Sequence, residues 1–288
     1  MRSKGRKKYT EFSLSFNSSN QRLFGKLLLP EEEGPLPVAI LCHGFGTDHR
    51  TMRPIAEIIA QRGIATFAFD FRGHGWSGGT CDGNAWEDVV AAFNHLSSFP
   101  EIDKQRVSVV GHSMGASAAL LAAPELKNIY ALVLVSCPPD DIDRSGDEFV
   151  AFYQRLAKCA RGLVEYPRQG LPPWVRSFSG LSWLWMKLRR YRVAVDWGKM
   201  FKANQKGALS AALTKVKPCH LLFIHCEGDK FVDYQEAMKL YKCAQSPKKI
   251  ILTTGGFHST PLLPGRLRQD WLNWLISILQ SPKEKTPV

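Results

Sequence analysis

Two periodicities trade places along the chain. Tyr9 to Phe16 alternates polar and apolar residues, Arg22 to Leu29 and Leu36 to Cys42 are strand-length apolar runs, Thr51 to Arg62 has helical spacing, and Ile64 to Phe71 returns to strand. The exchange then repeats. Ala85 to Ser98 sets Trp86, Val89, Val90, Phe93 and Leu96 at helical intervals, Arg106 to Val110 is Val-rich strand, and Ser113 to Ala123 is Ala/Leu-rich helix. Strands follow at Tyr130 to Val135, Leu221 to His225 and Lys249 to Leu252, with helices at Asp233 to Ala244 and Pro264 to Leu279. Strands that are apolar on both faces must be covered on both faces. The pattern therefore predicts an α/β fold: a mostly parallel central sheet flanked by helices and opened by a β-meander.

Between Ser136 and Cys219 the alternation stops and gives way to Trp- and Arg-rich helical text broken by Pro167, Pro172 and Pro173. This reads as a helical cap inserted over the carboxyl edge of the sheet. The expected organisation is a core of residues 9–136 and 218–280, a cap of residues 137–217, and tails at 1–8 and 281–288.

Composition narrows the picture. A chain of 288 residues, 44% of them hydrophobic, sustains an ordinary core, which excludes a disulfide-stapled miniature, a disordered chain or a coiled coil. The net charge of +12 is not spread evenly: residues 150–217 hold 14 Lys/Arg against two acids, Glu165 and Asp196, and the remainder is balanced. The first reading of this stretch is a cap whose Trp174, Phe178, Trp183, Trp185, Trp197 and Phe201 line an apolar substrate pocket while its arginines face water. The second is peripheral contact with an anionic membrane, because Trp183, Trp185 and Tyr191 interleave with Lys187, Arg189, Arg190 and Arg192. Nucleic acid is disfavoured, since no nucleic-acid-binding motif accompanies the charge. Seven cysteines stand singly with no Cys-x-x-Cys, the basic N-terminus lacks an apolar signal core, and no run reaches membrane-spanning length. A cytoplasmic protein with reduced thiols is expected.

The chemistry gathers at predicted strand ends. Gly111-His112-Ser113-Met114-Gly115 joins a strand directly to a helix, which puts Ser113 on a sharp turn with its hydroxyl above the sheet. A serine hydroxyl needs a base to take its proton and an acid to orient that base. His258 lies in the loop between the last strand and the last helix, and Asp229 follows the strand Leu221 to His225. An oxyanion needs fixed donors. The Phe45 N–H of His43-Gly44-Phe45-Gly46 and the Met114 N–H at the start of the helix are the candidates. No His/Asp/Glu cluster has metal-ligand spacing, so neither metal nor cofactor is expected.

These residues resemble the α/β-hydrolase superfamily, serine-nucleophile branch, over about Arg22 to Gln280. The resemblance rests on His43 to Gly46, on Asp70-Phe71-Arg72-Gly73-His74-Gly75-Trp76-Ser77, on Gly111 to Gly115, and on Gly228-Asp229 with His258. The first two look most like esterases that include cinnamoyl/feruloyl esterases, monoglyceride lipases and serine aminopeptidase-like hydrolases. Ala116 departs from the second Gly that many relatives carry after the motif. The resemblance implies an α/β-hydrolase fold and hydrolysis of a small-molecule carboxylic ester with an apolar or aromatic acyl group. Ser113 would be nucleophile, His258 base, Asp229 orienting acid, and Phe45 and Met114 oxyanion donors. In some relatives the acid follows the strand before the insertion, where Asp140, Asp141 and Asp143 stand. The alternatives are amide hydrolysis or acyl transfer by the same three residues, or a catalytically silent binding protein. His43, His74 and His112 are expected to be structural hydrogen-bonders, Asp70 and Arg72 to pin their loop, and His220 and His225 to be core histidines.

Overall fold

The computed structural model of the chain describes residues 8–140, 193–203 and 207–281. Among these, eight strands form one sheet: β1 (Tyr9–Ser18), β2 (Gln21–Pro30), β3 (Leu36–Cys42), β4 (Ala65–Phe69), β5 (Ile102–His112), β6 (Ile129–Val135), β7 (His220–Cys226) and β8 (Lys248–Thr253). Their spatial order is β1-β2-β4-β3-β5-β6-β7-β8. β2 pairs antiparallel with β1 and β4, and every later pairing is parallel. The helices are α1 (His49–Ala60), α2 (Ala85–Leu96), α3 (Met114–Ala122), α4 (Trp197–Ala203), α5 (Ala208–Leu213), α6 (Tyr234–Cys243) and α7 (Arg266–Gln280).

β3 and β4 are buried along their whole length, as strands with no polar face must be. Alternate residues serve opposite faces. Ile40, Val109, Leu132 and Phe223 join Phe93 of α2, Leu120 of α3 and Leu209 of α5 in one core layer. Leu41, Val110, Val133 and Ile224 join Ile55 of α1 and Trp271 and Leu275 of α7 in the other. Asp48 starts α1 by accepting the Arg50 N–H at 2.9 Å, and Asp233 starts α6 by accepting that of Gln235 at 2.9 Å.

Strand limits differ from expectation where polar residues pair. β5 begins at Ile102, not Arg106, because Ile102 pairs with Leu36 ahead of the exposed Lys104 and Gln105. β4 ends at Phe69, two residues early, because the Asp70 carboxylate takes up the following loop. The alternating stretch from Tyr9 is a full ten-residue edge strand. Of the six described cysteines, five are buried and Cys243 is exposed. No helix among the described residues is long and apolar enough to cross a membrane. Trp174, Phe178, Trp183 and Trp185 lie outside the described residues; Trp197 and Phe201 fall on α4, and of these two only the backbone is described.

Candidate active site

Ser113 is the single residue between β5 and α3, with φ 54° and ψ −120°. A side chain at such a φ stores strain of roughly 1–3 kcal/mol and persists only where its surroundings fix it. Here the Ser113 N–H donates to Val135 O at 2.9 Å, and its carbonyl accepts from Ala116 N and Ser117 N at 2.8 and 3.2 Å. Gly115 permits the turn, because a Cβ there would collide with the carbonyl oxygens of Cys42 and His43. The turn thus presses the first residues of α3 against the end of β3.

Asp229 and His258 meet from the loops after β7 and β8. The His258 Nδ1–H donates to Asp229 Oδ2 at 2.8 Å, which leaves Nε2 with its lone pair. The Asp229 side chain is fully buried. Burial would raise its pKa, but donors from His225 Nε2 at 3.2 Å, His258 and the N–H groups of Phe231 and Val232 hold it well below the usual carboxylate range. His258 is held at its main chain too: its carbonyl accepts from Ser136 Oγ at 2.9 Å and His112 Nε2 at 3.2 Å. The His258 and His112 rings are 5.0 Å apart, so the imidazole sits against the residue that precedes Ser113.

Beside Ser113 lies the Gly44–Phe45 peptide. A Cβ on Gly44 would come within 3.4 Å of Ser113 Cβ. The Gly44 carbonyl accepts from His43 Nδ1 at 2.8 Å, Thr47 Oγ1 at 2.8 Å and Thr47 N at 3.3 Å. A trans peptide carries its N–H opposite its C=O, so these three donors turn the Phe45 N–H away from His43 and Thr47. Met114 is the first residue of α3, where main-chain N–H groups lack partners one turn back. Phe45, Ser113 and Met114 all line a cavity of about 340 Å³.

The remaining candidates sort by their partners. Asp140 spends its carboxylate on α5, accepting Leu209 N at 2.7 Å, Ser210 N at 2.8 Å and the Ser210 hydroxyl; Asp141 and Asp143 lie outside the described residues. Buried Arg72 binds Asp88 and Glu87 and lies against Asp82, and Asp70 accepts His49 Nδ1 at 2.7 Å and Trp76 N at 2.8 Å, so both pin the loop after β4. Asp48, His49 and Asp70 do bring ligand-type atoms together, but Arg50 and these same internal bonds engage the carboxylates. His43 is pushed down to about 3 by burial and by His74, and accepts the Phe71 N–H at Nε2. His225 is fully buried as expected, but it bonds Asp229 instead of serving the core alone. Neither this bond nor the Ser136 bond was read from the sequence, because each depends on how a loop turns back over a strand end.

A mostly parallel sheet that sets a strained serine on a strand-to-helix turn, with an Asp–His pair from later strand ends packed against the residue before that serine, fits the hydrolase class of α/β proteins. The chain belongs to the alpha/beta hydrolase family, whose model matches residues 39–267. It is 22% identical over 277 residues to the uncharacterized protein YfhR of Escherichia coli O157:H7, covering 93% of this chain and 81% of that one. It is 31% identical over 129 residues to a monoglyceride lipase homolog of monkeypox virus, over 43% of this chain and 45% of the other. The esterase Pf2001 of Pyrococcus furiosus shares the fold with a TM-score of 0.65 at 21% identity, covering 94% of this chain and 91% of that one.

Proposed function

We propose that the chain is a serine hydrolase of carboxylic esters. The observation that carries this reading is the Asp229–His258 bond, which fixes the tautomer that leaves Nε2 able to take a proton, with the imidazole against His112, the residue before a serine held on a strained turn. Ser113 Oγ attacks the acyl carbon while His258 Nε2 takes its proton. The tetrahedral oxyanion is received by the N–H groups of Phe45 and Met114, and His258 then returns the proton to the leaving alcohol. Water enters by the reverse proton path, His258 serving again as base, and releases the acid. Asp229 remains charged throughout and orients the imidazole. The apolar walls beside Ser113 support an apolar acyl group.

A fluorophosphonate probe should label the wild-type protein and leave Ser113→Ala unlabelled; equal labelling of the two would overturn the nucleophile. Aminoacyl amides run beside the ester panel separate amide hydrolysis from the ester reading, and added alcohols separate acyl transfer. Anionic vesicles in the same assay test the basic stretch: activation that disappears on replacing Arg189, Arg190 and Arg192 would assign it to a lipid surface. We place the protein in the cytoplasm, on the support of cysteines that stand singly along the chain with no Cys-x-x-Cys.

A further inference from the structure

The cavity at Ser113 has a direction. Its lining follows one face of α3, from Met114 through Ser117, Ala118 and Leu121 to Pro124 and Glu125. That three-and-four spacing is a single helical stripe. From Met114 to Glu125 run the nine residues of α3 and one 3-10 turn, together roughly 20 Å at 1.5 and 2.0 Å per residue. The opposite wall is α5, which contributes Ala208, Leu209, Ala211 and Ala212. The slot exists because the two facing helices are built of alanine and serine where they run past each other, and side chains this short leave the space between them unfilled. Trp86 of α2 and Met200 of α4 line it as well.

Both ends of the slot are defined. One is Ser113, with Phe45 and Met114. The other is the exposed pair Glu125 and Lys215, which puts that end at the solvent. The α5 wall is fixed in place, since buried Asp140 accepts two main-chain N–H groups of its first turn. The end of the insertion is fixed against the same region by the bonds Cys81 N to Ala194 O at 2.8 Å and Ala194 N to Gly73 O at 2.7 Å.

From the stripe on α3 and its two ends, we infer that the slot holds one unbranched fatty acyl chain, its carboxyl carbon at Ser113 and its methyl end toward Glu125 and Lys215. The inference rests on the ester-hydrolase reading for the carboxyl end and on the slot alone for the chain. Half of a bilayer's hydrocarbon core is about 15 Å thick, so a groove of this length accommodates one membrane-lipid chain. Branched or aryl acyl groups would have to fit past Ala118 of α3 and Ala212 of α5, which both line the slot. Leu121, partly exposed and midway to the open end, determines how far the chain can run.

The test uses p-nitrophenyl esters, in which the leaving group is constant and only the acyl chain changes. Wild type should prefer decanoate and myristate to acetate. Leu121→Trp should lower kcat/KM for myristate at least tenfold with acetate within twofold of wild type, and Ala211→Trp, from the exposed side of α5, should do the same. Preserved acetate turnover also shows that each variant is folded. Loss of acetate and myristate in equal measure in both variants, or no change in either, would overturn the slot. So would a chain-length preference expressed only in the alcohol half, read with acetates of long alcohols. Binding of myristate to Ser113→Ala, followed by calorimetry, separates the two readings. If wild type turns over no ester, the hydrolase reading falls, and the slot then stands or falls on whether myristate binds Ser113→Ala and fails to bind Ser113→Ala with Leu121→Trp.

Discussion

Asp229 carries a charge in a place with no access to water, and it does so because both of its oxygens are occupied. Oδ1 receives two main-chain N–H groups and Oδ2 two imidazoles. Replacing it with asparagine keeps the shape but offers His258 a neutral amide, whose NH₂ favours the opposite imidazole tautomer. Asp229→Asn should therefore lower kcat by about 10⁴-fold while leaving KM close to wild type, the size of loss seen when a triad acid becomes an amide. A fall below tenfold would remove Asp229 from the proton path. At this scale the sequence was legible wherever the chemistry is local. Ser113 is marked by its flanking glycines, and Asp229 and His258 by their places after strands. His225, four residues before Asp229, reads as one more apolar-strand residue, and only the turn at Gly228 brings its Nε2 to the carboxylate. Ser136, with φ 48°, offers no such signal at all.

The element that matters most for the site is α3, entered through a turn with no slack. Gly115 faces the carbonyls of Cys42 and His43 so closely that a methyl group must move β3 or α3. Gly115→Ala should cost about 1–3 kcal/mol of stability, as overpacked interiors do, seen as a lower urea midpoint with an unchanged m-value. It should also reduce fluorophosphonate labelling, because the same shift moves Ser113. An unaltered midpoint would show that the contact relaxes freely. The parallel strands were plain in the sequence because double-sided burial leaves uninterrupted apolar runs, as in β3, β4 and β6. The polar beginning of β5 was not, since Asp103, Lys104 and Gln105 carry no strand signal and are drawn in by neighbouring pairing. The slot beside α3 was invisible for a different reason. Alanine and serine in a helix look like good packing, and only the position of α5 shows that they leave a gap.

For the molecule as a whole, the consequence of burying histidines at strand ends is a specific sensitivity to acid. His43 and His112 are both pushed down to about 3, first by burial and then by a neighbouring histidine, His74 and His258 respectively, from an ordinary value of 6.5. Between those two values the unfolded chain binds a proton at each that the folded chain does not. Stability therefore rises with pH across that window, and is lost as pH falls from about 6.5 toward 3, by about 1.4 kcal/mol per pH unit for each histidine. Asp229 adds to the same limb at its lower end. Its depressed carboxyl contributes stability above the unfolded value of about 3.9 that disappears as pH drops below it. The net charge of +12 also opposes folding in acid, but through self-repulsion that salt screens. Urea midpoints at pH 8, 6, 5 and 4 should show the decline setting in near pH 6.5. In His112→Gln the slope between pH 6 and 4 should be shallower by about 1.4 kcal/mol per unit. Comparing wild type with the variant at one salt concentration cancels the repulsion term, because above pH 6.5 the two carry the same charge and below it only the unfolded wild type gains the extra proton. Equal slopes in the two proteins would mean that His112 takes up its proton in the folded state, and with it that the bond from His112 Nε2 to the His258 carbonyl does not depend on a neutral ring.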